Sequence, residues 1–215
     1  MTVQKIAGKE AIIYFDSKRC IHSRNCVLGR PDVFVPNIKG DWIFPDRASI
    51  EEIAEIAHNC PSGAIYYQRV DGQVGESAPK VNTVRVRENG PLAFHAPIII
   101  DGKDQGYRLT FCRCGHSKNK PYCDGQHAAE NFIATGEPPT KESAPLVKRD
   151  GVLEITEIKD GPLRAAGNQE VVTGTGKTIN RAEETFICRC GQSKNKPYCD
   201  GSHKAAGFQA GGITR

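Results

Sequence analysis

Apolar residues in this chain come in short runs, most of which alternate with polar ones, and only one stretch repeats at helical spacing. That stretch is Ser49 to Asn59, where Ile50, Ile53, Ala54, Ile56 and Ala57 fall on one face and "SIEE" supplies a capping box, so a helix is predicted there. On either side, "AIIYF" from Ala11 and "AIYYQ" from Ala64 read as strands. Further on, the alternating runs "VNTVRVRE" from Val81 and "GVLEITEIK" from Gly151, with β-rich stretches such as "APIII", predict more strands and no long helix. The chain is therefore expected to be α+β, with its helix near the amino end and two β-rich parts behind it. Stretches rich in Gly, Pro and Ser divide it: "DGQVGESAP" from Asp71 to Pro79 and "ATGEPPTKESAP" from Ala134 to Pro145 read as linkers. Three modules are expected, at 1–72, 80–140 and 146–215.

The second and third modules are copies. "CRCGHSKNKPYCDGQH", Cys112 to His127, returns as "CRCGQSKNKPYCDGSH", Cys188 to His203, each residue 76 positions later. Upstream, "NGPL" at Asn89 matches "DGPL" at Asp160, an offset of 71. The second copy thus carries five more residues, which fit the turn "TGTGKT", Thr173 to Thr178. That turn lacks the spacing of a phosphate loop and is expected to join a hairpin. Units this short bury too little apolar surface to stand alone, so each copy is expected to need a metal and a partner. Packing of the two copies about an internal pseudo-twofold axis would meet the second need within a monomer.

A formal charge of +4 spread over 215 residues gives no basic block for nucleic acid. No run approaches the length of a membrane helix, and the start has no signal-type apolar core, so a cytoplasmic protein is expected. Reduced cytosolic thiols and an odd count of nine cysteines favour metal ligation over disulfides. The cysteines sort into threes: Cys20, Cys26 and Cys60; Cys112, Cys114 and Cys123; Cys188, Cys190 and Cys199. In each copy C-x-C forms one donor pair and the third Cys with its following His a second. Four such donors can hold one tetrahedral zinc or the two irons of a [2Fe-2S] cluster, and C-x-C is tight for zinc.

Both stretches resemble the signature of the CDGSH iron-sulfur (NEET) family. The matching positions are Cys112, Cys114, Ser117, Pro121, Cys123, Asp124, Gly125 and His127 in the first copy. In the second they are Cys188, Cys190, Ser193, Pro197, Cys199, Asp200, Gly201, Ser202 and His203. Gln126 stands where the motif has serine, which is expected to alter hydrogen bonding around that site while leaving the ligands intact. The resemblance implies one [2Fe-2S] cluster on three Cys and one His per copy, held on small β-rich CDGSH modules paired about a twofold axis. A neutral imidazole in place of a thiolate raises the reduction potential relative to an all-Cys site. Arg113, Lys118, Lys120 and their counterparts Arg189, Lys194 and Lys196 are expected to soften the cluster charge or dock an acidic partner, or else to form a solvated face.

At the amino end, Cys20, Cys26 and Cys60, with Pro61 after the last, resemble a divergent single-cluster ferredoxin domain, including its C-x-H-x3-C start at Cys20, His22 and Cys26. Ser23 occupies the middle ligand place. Three thiolates suit a [3Fe-4S] cluster; a [4Fe-4S] cluster needs a fourth donor, for which His22 is the candidate ahead of Ser23 or water. Trp42 and Phe44 read as core, and His58, His95 and His116 as surface or packing residues.

With no nucleophile and base pair and no dinucleotide fingerprint, the chain is expected not to be an enzyme. It is expected to carry electrons between a reductase and an acceptor protein. The alternative is a cluster donor to apo-proteins, or a redox or pH sensor, built on the His-ligated clusters. A proton competes with metal for a coordinating imidazole. Acidification is therefore expected to bleach the two repeat clusters, and a His127→Cys/His203→Cys double variant to bleach more slowly in stopped-flow absorbance; equal rates would contradict this.

Overall fold

The computed structural model describes residues 3–213, and these fall into two compact units, one through Ser77 and the other from Ala78 onward.

In the first unit β1 (Val3–Ala7), β2 (Ala11–Asp16) and β3 (Ile65–Arg69) form an antiparallel sheet with β2 central. A short helix, α1 (Asn25–Gly29), follows Cys20 and carries Cys26, and α2 (Ile50–His58) returns the chain to β3. The α2 helix begins as the sequence indicates. Ser49 Oγ accepts from the Glu52 N–H at 3.3 Å, and Glu52 Oε2 accepts from the Ser49 N–H at 2.8 Å. Ile50, Ile53, Ile56 and Ala57 bury their side chains against Ile13, Phe34, Ile43 and Ile65, while Ala54 lies at the edge. The β1 strand has no run in the expected pattern. It is an edge strand whose residues are almost all exposed, so it carries no alternation to detect.

The second unit holds both copies in one eight-stranded sheet. The first copy contributes β4 (Thr83–Val86), β5 (Leu92–His95), β6 (Ile98–Ile100), β7 (Lys103–Asp104) and β8 (Arg108–Phe111), then the one-turn α3 (Gln126–Ala129). The second contributes β9 (Leu153–Glu157), the long β10 (Leu163–Val172) and β11 (Thr178–Ile187), then α4 (Ser202–Ala205). The β10 strand corresponds to β5 and β6 run together. Gly167, at φ 123°, bulges where the first copy breaks at Ala96 and Pro97, and a Cβ there would strike the Val152 carbonyl.

The copies interleave. Within each, the pairings are antiparallel and match residue for residue: Leu92 opposite Phe111, and Leu163 opposite Ile187. Between them the pairings are parallel and reciprocal. Ile99 of β6 lies opposite Glu154 of β9, and Glu170 of β10 lies opposite Thr83 of β4. Each copy therefore completes the other's sheet, and one core holds Val84, Phe94, Ile98, Leu109 and Phe111 together with Leu153, Ile155, Leu163, Val171 and Ile187. Asn82, fully buried in the first copy, donates from Nδ2 to the carbonyls of Gly151 and Asn168 in the second, both at 2.8 Å.

The expected linker from Ala134 to Pro145 has no helix or strand, yet it is not a free tether. Its Gly136 carbonyl accepts from Gly174 at 2.8 Å, its Glu137 carboxylate accepts from Thr175 at 3.0 Å, and its Lys141 N–H donates to Ile179 at 2.7 Å. The segment is stitched to the Thr173 to Thr178 turn, which joins β10 to β11 as a hairpin with its own Thr173 N–H to Lys177 carbonyl bond at 2.9 Å. Glycine and proline content signals irregular backbone, not freedom from contact.

Since two of the first copy's five strand pairings are made with the other copy, residues 80–140 expressed alone should fold only by associating. Sedimentation should find unfolded monomer or dimer, and a folded, metal-loaded monomer would contradict the interleaving.

Candidate functional site

The C-x-C of each copy leaves the end of a strand, β8 or β11, so the first cysteine continues the sheet and the second turns out of it. Cys112 Sγ and Cys114 Sγ lie 3.7 Å apart, and Cys188 Sγ and Cys190 Sγ 3.6 Å. Two thiolates at about 2.3 Å on one tetrahedral metal would be about 3.7 Å apart. The second pairs are Cys123 Sγ with His127 Nδ1 and Cys199 Sγ with His203 Nδ1, each at 3.3 Å, near the ~3.5 Å that a shared tetrahedral metal sets for sulfur and imidazole. Among the described residues no three Cys, His, Asp or Glu side chains converge on a single ion position. The donors therefore sort as two pairs per copy, each spaced for its own metal, which is the arrangement a two-iron cluster requires.

The loop between the pairs is fixed by its own polar residues, identically in both copies. Ser117 and Ser193 donate to the Tyr122 and Tyr198 carbonyls at 2.6 and 2.7 Å and accept from Asn119 and Asn195 at 3.0 Å. The carboxylates of Asp124 and Asp200 accept from the N–H groups of Lys118 and Lys194 at 2.8 Å, bridging the loop. The serine that the first copy lacks shows its role here. Ser202 adds a hydroxyl bond of 2.6 Å to Asp200, which with the backbone donors holds that carboxyl well below the usual range, whereas Gln126 gives Asp124 only its backbone N–H at 3.1 Å.

The cysteines are more buried than a loop rich in Lys, Asn and Gly suggests, and only Cys199 among these six keeps appreciable exposure. Burial pushes the Cys123 thiol up to about 12 and raises Cys190 and Cys199 as well. In the first C-x-C pair the shared hydrogen bond draws Cys112 down to about 6 and raises Cys114. Backbone N–H groups answer the sulfurs: Gly115 to Cys112 at 3.3 Å, His116 to Cys114 at 3.4 Å, Gly125 to Cys123 at 3.4 Å, and in the second copy Gln192 to Cys190 and Gly201 to Cys199, both at 3.4 Å. Thiols such as Cys114, Cys123, Cys190 and Cys199, which resist ionisation on their own and have N–H groups aimed at them, are built for a cation that stabilises the thiolates. The imidazoles of His127 and His203 are half-buried, at the solvent edge of each site.

The two loops meet back to back. Gly115 and Gly191 both have positive φ, and a Cβ on either would run into the carbonyl of the opposite copy's C-x-C: Cys190 for Gly115, Cys114 for Gly191. The arginines inside the C-x-C motifs are staples, which corrects the expectation of a docking role for them. Arg113, fully buried, donates to the carbonyls of Gly90 (2.8 Å), Thr135 (2.9 Å), Arg87 (2.5 Å) and Ala134 (3.0 Å). Arg189 donates to Gly161 (2.8 Å), Ile158 (2.5 Å) and Gly211 (2.8 Å), and to the Glu157 carboxylate at 2.7 Å. Lys120 and Lys196 bond the Ser117 and Ser193 carbonyls. Each also lies over a ring of the opposite copy, Phe208 and Phe132, and the same rings lie near Arg189 and Arg113. Lys118 and Lys194 stay exposed. His116 is exposed too, 3.7 Å from Glu130.

In the first unit Cys20, Cys26 and Cys60 line one cavity of about 720 Å³, together with His22, Ser23 and Trp42. Two non-glycine residues of the loop, His22 and Arg24, have positive φ, and Asn25 Nδ2 ties the loop to the end of α2 through the Asn59 carbonyl at 2.8 Å. Burial raises the Cys20 and Cys26 thiols, and each is raised further by Cys60. Trp42 also packs edge-on against Phe15, so it serves the core and walls the cavity at once.

Comparison with known proteins finds family models over both parts of the chain. The model of the family described as "Iron-binding zinc finger CDGSH type" matches residues 69–128 and 160–204, and that described as "Divergent 4Fe-4S mono-cluster" matches residues 6–70. The chain is 37% identical over 62 residues to "Uncharacterized protein YjdI" of Escherichia coli strain K12, covering 28% of this chain and 79% of that protein. It is 30% identical over 69 residues to "CDGSH iron-sulfur domain-containing protein 1" of Rattus norvegicus, 32% of this chain and 60% of the relative. To "CDGSH iron-sulfur domain-containing protein 2 homolog" of Drosophila ananassae the figures are 42% over 50 residues, 22% and 37%.

Arg113→Met and Arg189→Met each strand one buried carbonyl, Gly90 or Gly161, and further part-buried ones, at about 1–3 kcal/mol per orphaned buried group, so each should lower unfolding stability by more than ~1 kcal/mol in a urea titration. Lys118→Met should change it by under about 0.5 kcal/mol. Equal effects would mean that the arginines are not staples.

Proposed function

Because the chain belongs to the CDGSH iron-sulfur family, with a divergent 4Fe-4S mono-cluster module ahead of its paired motifs, we propose that it is a cytoplasmic carrier of single electrons and not an enzyme. It is an iron-sulfur protein. Its finer loading, on this reading, is two [2Fe-2S] clusters, one on Cys112, Cys114, Cys123 and His127 and one on Cys188, Cys190, Cys199 and His203, and a [3Fe-4S] cluster on Cys20, Cys26 and Cys60. A [4Fe-4S] cluster in that last place would take His22 or Ser23, which line the same cavity, as its fourth donor. When bound, the clusters supply one-electron redox chemistry at potentials set by ligand charge, hydrogen bonds to sulfur and exposure.

The observation that carries the reading is the back-to-back packing of Cys114 and Gly115 against Cys190 and Gly191. It sets the backbone of one ligand of each site against the glycine that follows a ligand of the other, Cys190 against Gly115 and Cys114 against Gly191. The chain's residues hold the donors rigid, direct N–H groups at the sulfurs, and leave one imidazole edge of each site near solvent, where a reductase or an acceptor protein can approach. No described helix is long and apolar enough to cross a membrane.

The same half-buried imidazoles favour a second reading, delivery of clusters to an apo-protein. The two separate on mixing experiments. Under the first, reduced protein should pass electrons to an oxidised acceptor while its iron and sulfide stay bound, measured by absorbance and by metal analysis after desalting. Loss of colour to an apo-ferredoxin, with no reduction at accessible potentials, would overturn the carrier reading in favour of delivery.

A further inference from the structure

In the first unit a serine that is only 2% exposed, Ser62, lies with its hydroxyl 3.7 Å from the Cys60 sulfur and lines the cavity that Cys20, Cys26 and Cys60 share. Water does not reach it. A neutral thiol is a weak hydrogen-bond partner, so a hydroxyl buried against one is poorly satisfied. A thiolate bound to iron is a strong acceptor and has no proton of its own to give. With metal in place, the hydroxyl is therefore the donor of this pair.

The turn after α2 sets the contact. The Cys60 N–H donates to the Ala57 carbonyl at 3.0 Å, the Gly63 N–H donates to the Cys60 carbonyl at 3.3 Å, and Gly63, at φ 63°, sends the chain on toward β3. Pro61, between the ligand and the serine, has no N–H to offer. In the second unit the residue two places after a ligand answers it with a backbone N–H: His116 for Cys114, Gly125 for Cys123, Gln192 for Cys190 and Gly201 for Cys199. Ser62 stands two places after Cys60 and brings a hydroxyl to the same task. Phe15, Trp42 and Ile65 wall the cavity with apolar surface, and in such surroundings a hydrogen bond to a charged sulfur acts more strongly than in water.

We propose that Ser62 acts on the amino-terminal cluster through Cys60, as a positioning residue whose hydroxyl, donating to the Cys60 thiolate, raises the reduction potential of that cluster. This inference rests on the carrier reading above. Reduction adds one negative charge to the cluster and its sulfurs, and a hydrogen bond to a ligand sulfur favours the more negative state.

The test is a potentiometric titration of the full anaerobic protein with dithionite as the one-electron reductant, followed by electron paramagnetic resonance. Ser62→Ala should make the amino-terminal cluster about tenfold harder to reduce, a fall of 59 mV for a one-electron couple, with iron and sulfide per chain unchanged. Ser62→Gly, which also removes the hydroxyl, should give a fall in the same direction. Ser62→Thr keeps the hydroxyl and should keep the original potential. The two Cys3His centres, whose ligands all lie in the second unit, should titrate at unchanged potentials in every variant. A potential unmoved by Ser62→Ala and Ser62→Gly, one lowered equally by Ser62→Thr, or loss of the cluster from both variants that lack the hydroxyl would make Ser62 a packing residue and leave the carrier reading standing. Clusters that stay oxidised at every accessible potential would overturn both.

Discussion

Thiol and half-buried imidazole donors, set in pairs at the spacing of one metal and met by backbone N–H groups, are the constraint around which the larger unit is arranged. Left to themselves, thiols such as Cys123 and Cys190 resist ionisation and gain little from being buried. Everything around them makes sense as a scaffold that keeps four donors per copy in place for a group that brings positive charge. The serine and aspartate bridges fix the loop, the arginine staples anchor it to the preceding turn, and the opposite copy's backbone closes it from behind.

That last element explains the repeat. A single copy has too few strands to enclose its site, and here each copy lends the other a parallel strand, a wall of core and a glycine-lined face. Duplication within one chain also lets the two halves diverge, which identical subunits cannot do. Gln126 against Ser202 and Val86 against Glu157 are the products of that freedom, and each bears on the surroundings of a donor pair rather than on the donors themselves.

The ligands, the repeat, the α2 helix with its capping box and most strands were legible in the sequence because each is a local pattern: spacing of donors, periodicity of apolar positions, turn residues. What was not legible is long-range. The exchange of strands pairs residues far apart in sequence, as in Ile99 with Glu154, and alternation marks a strand without naming its neighbour. Arg113 and Arg189 look like surface charges because arginine usually is one; only the turn of backbone carbonyls around each shows otherwise. The Ala134 to Pro145 segment looked like a tether for the same reason, its hydrogen bonds being made to a hairpin some forty residues away.

The carrier role requires that these donors hold iron and inorganic sulfide. Iron and acid-labile sulfide per chain, measured on anaerobically purified protein, test it most directly. About seven irons are expected with a three-iron amino-terminal cluster and about eight with a four-iron one, accompanied by about eight sulfides in either case. Protein that is colourless, carries zinc and contains no sulfide would contradict it.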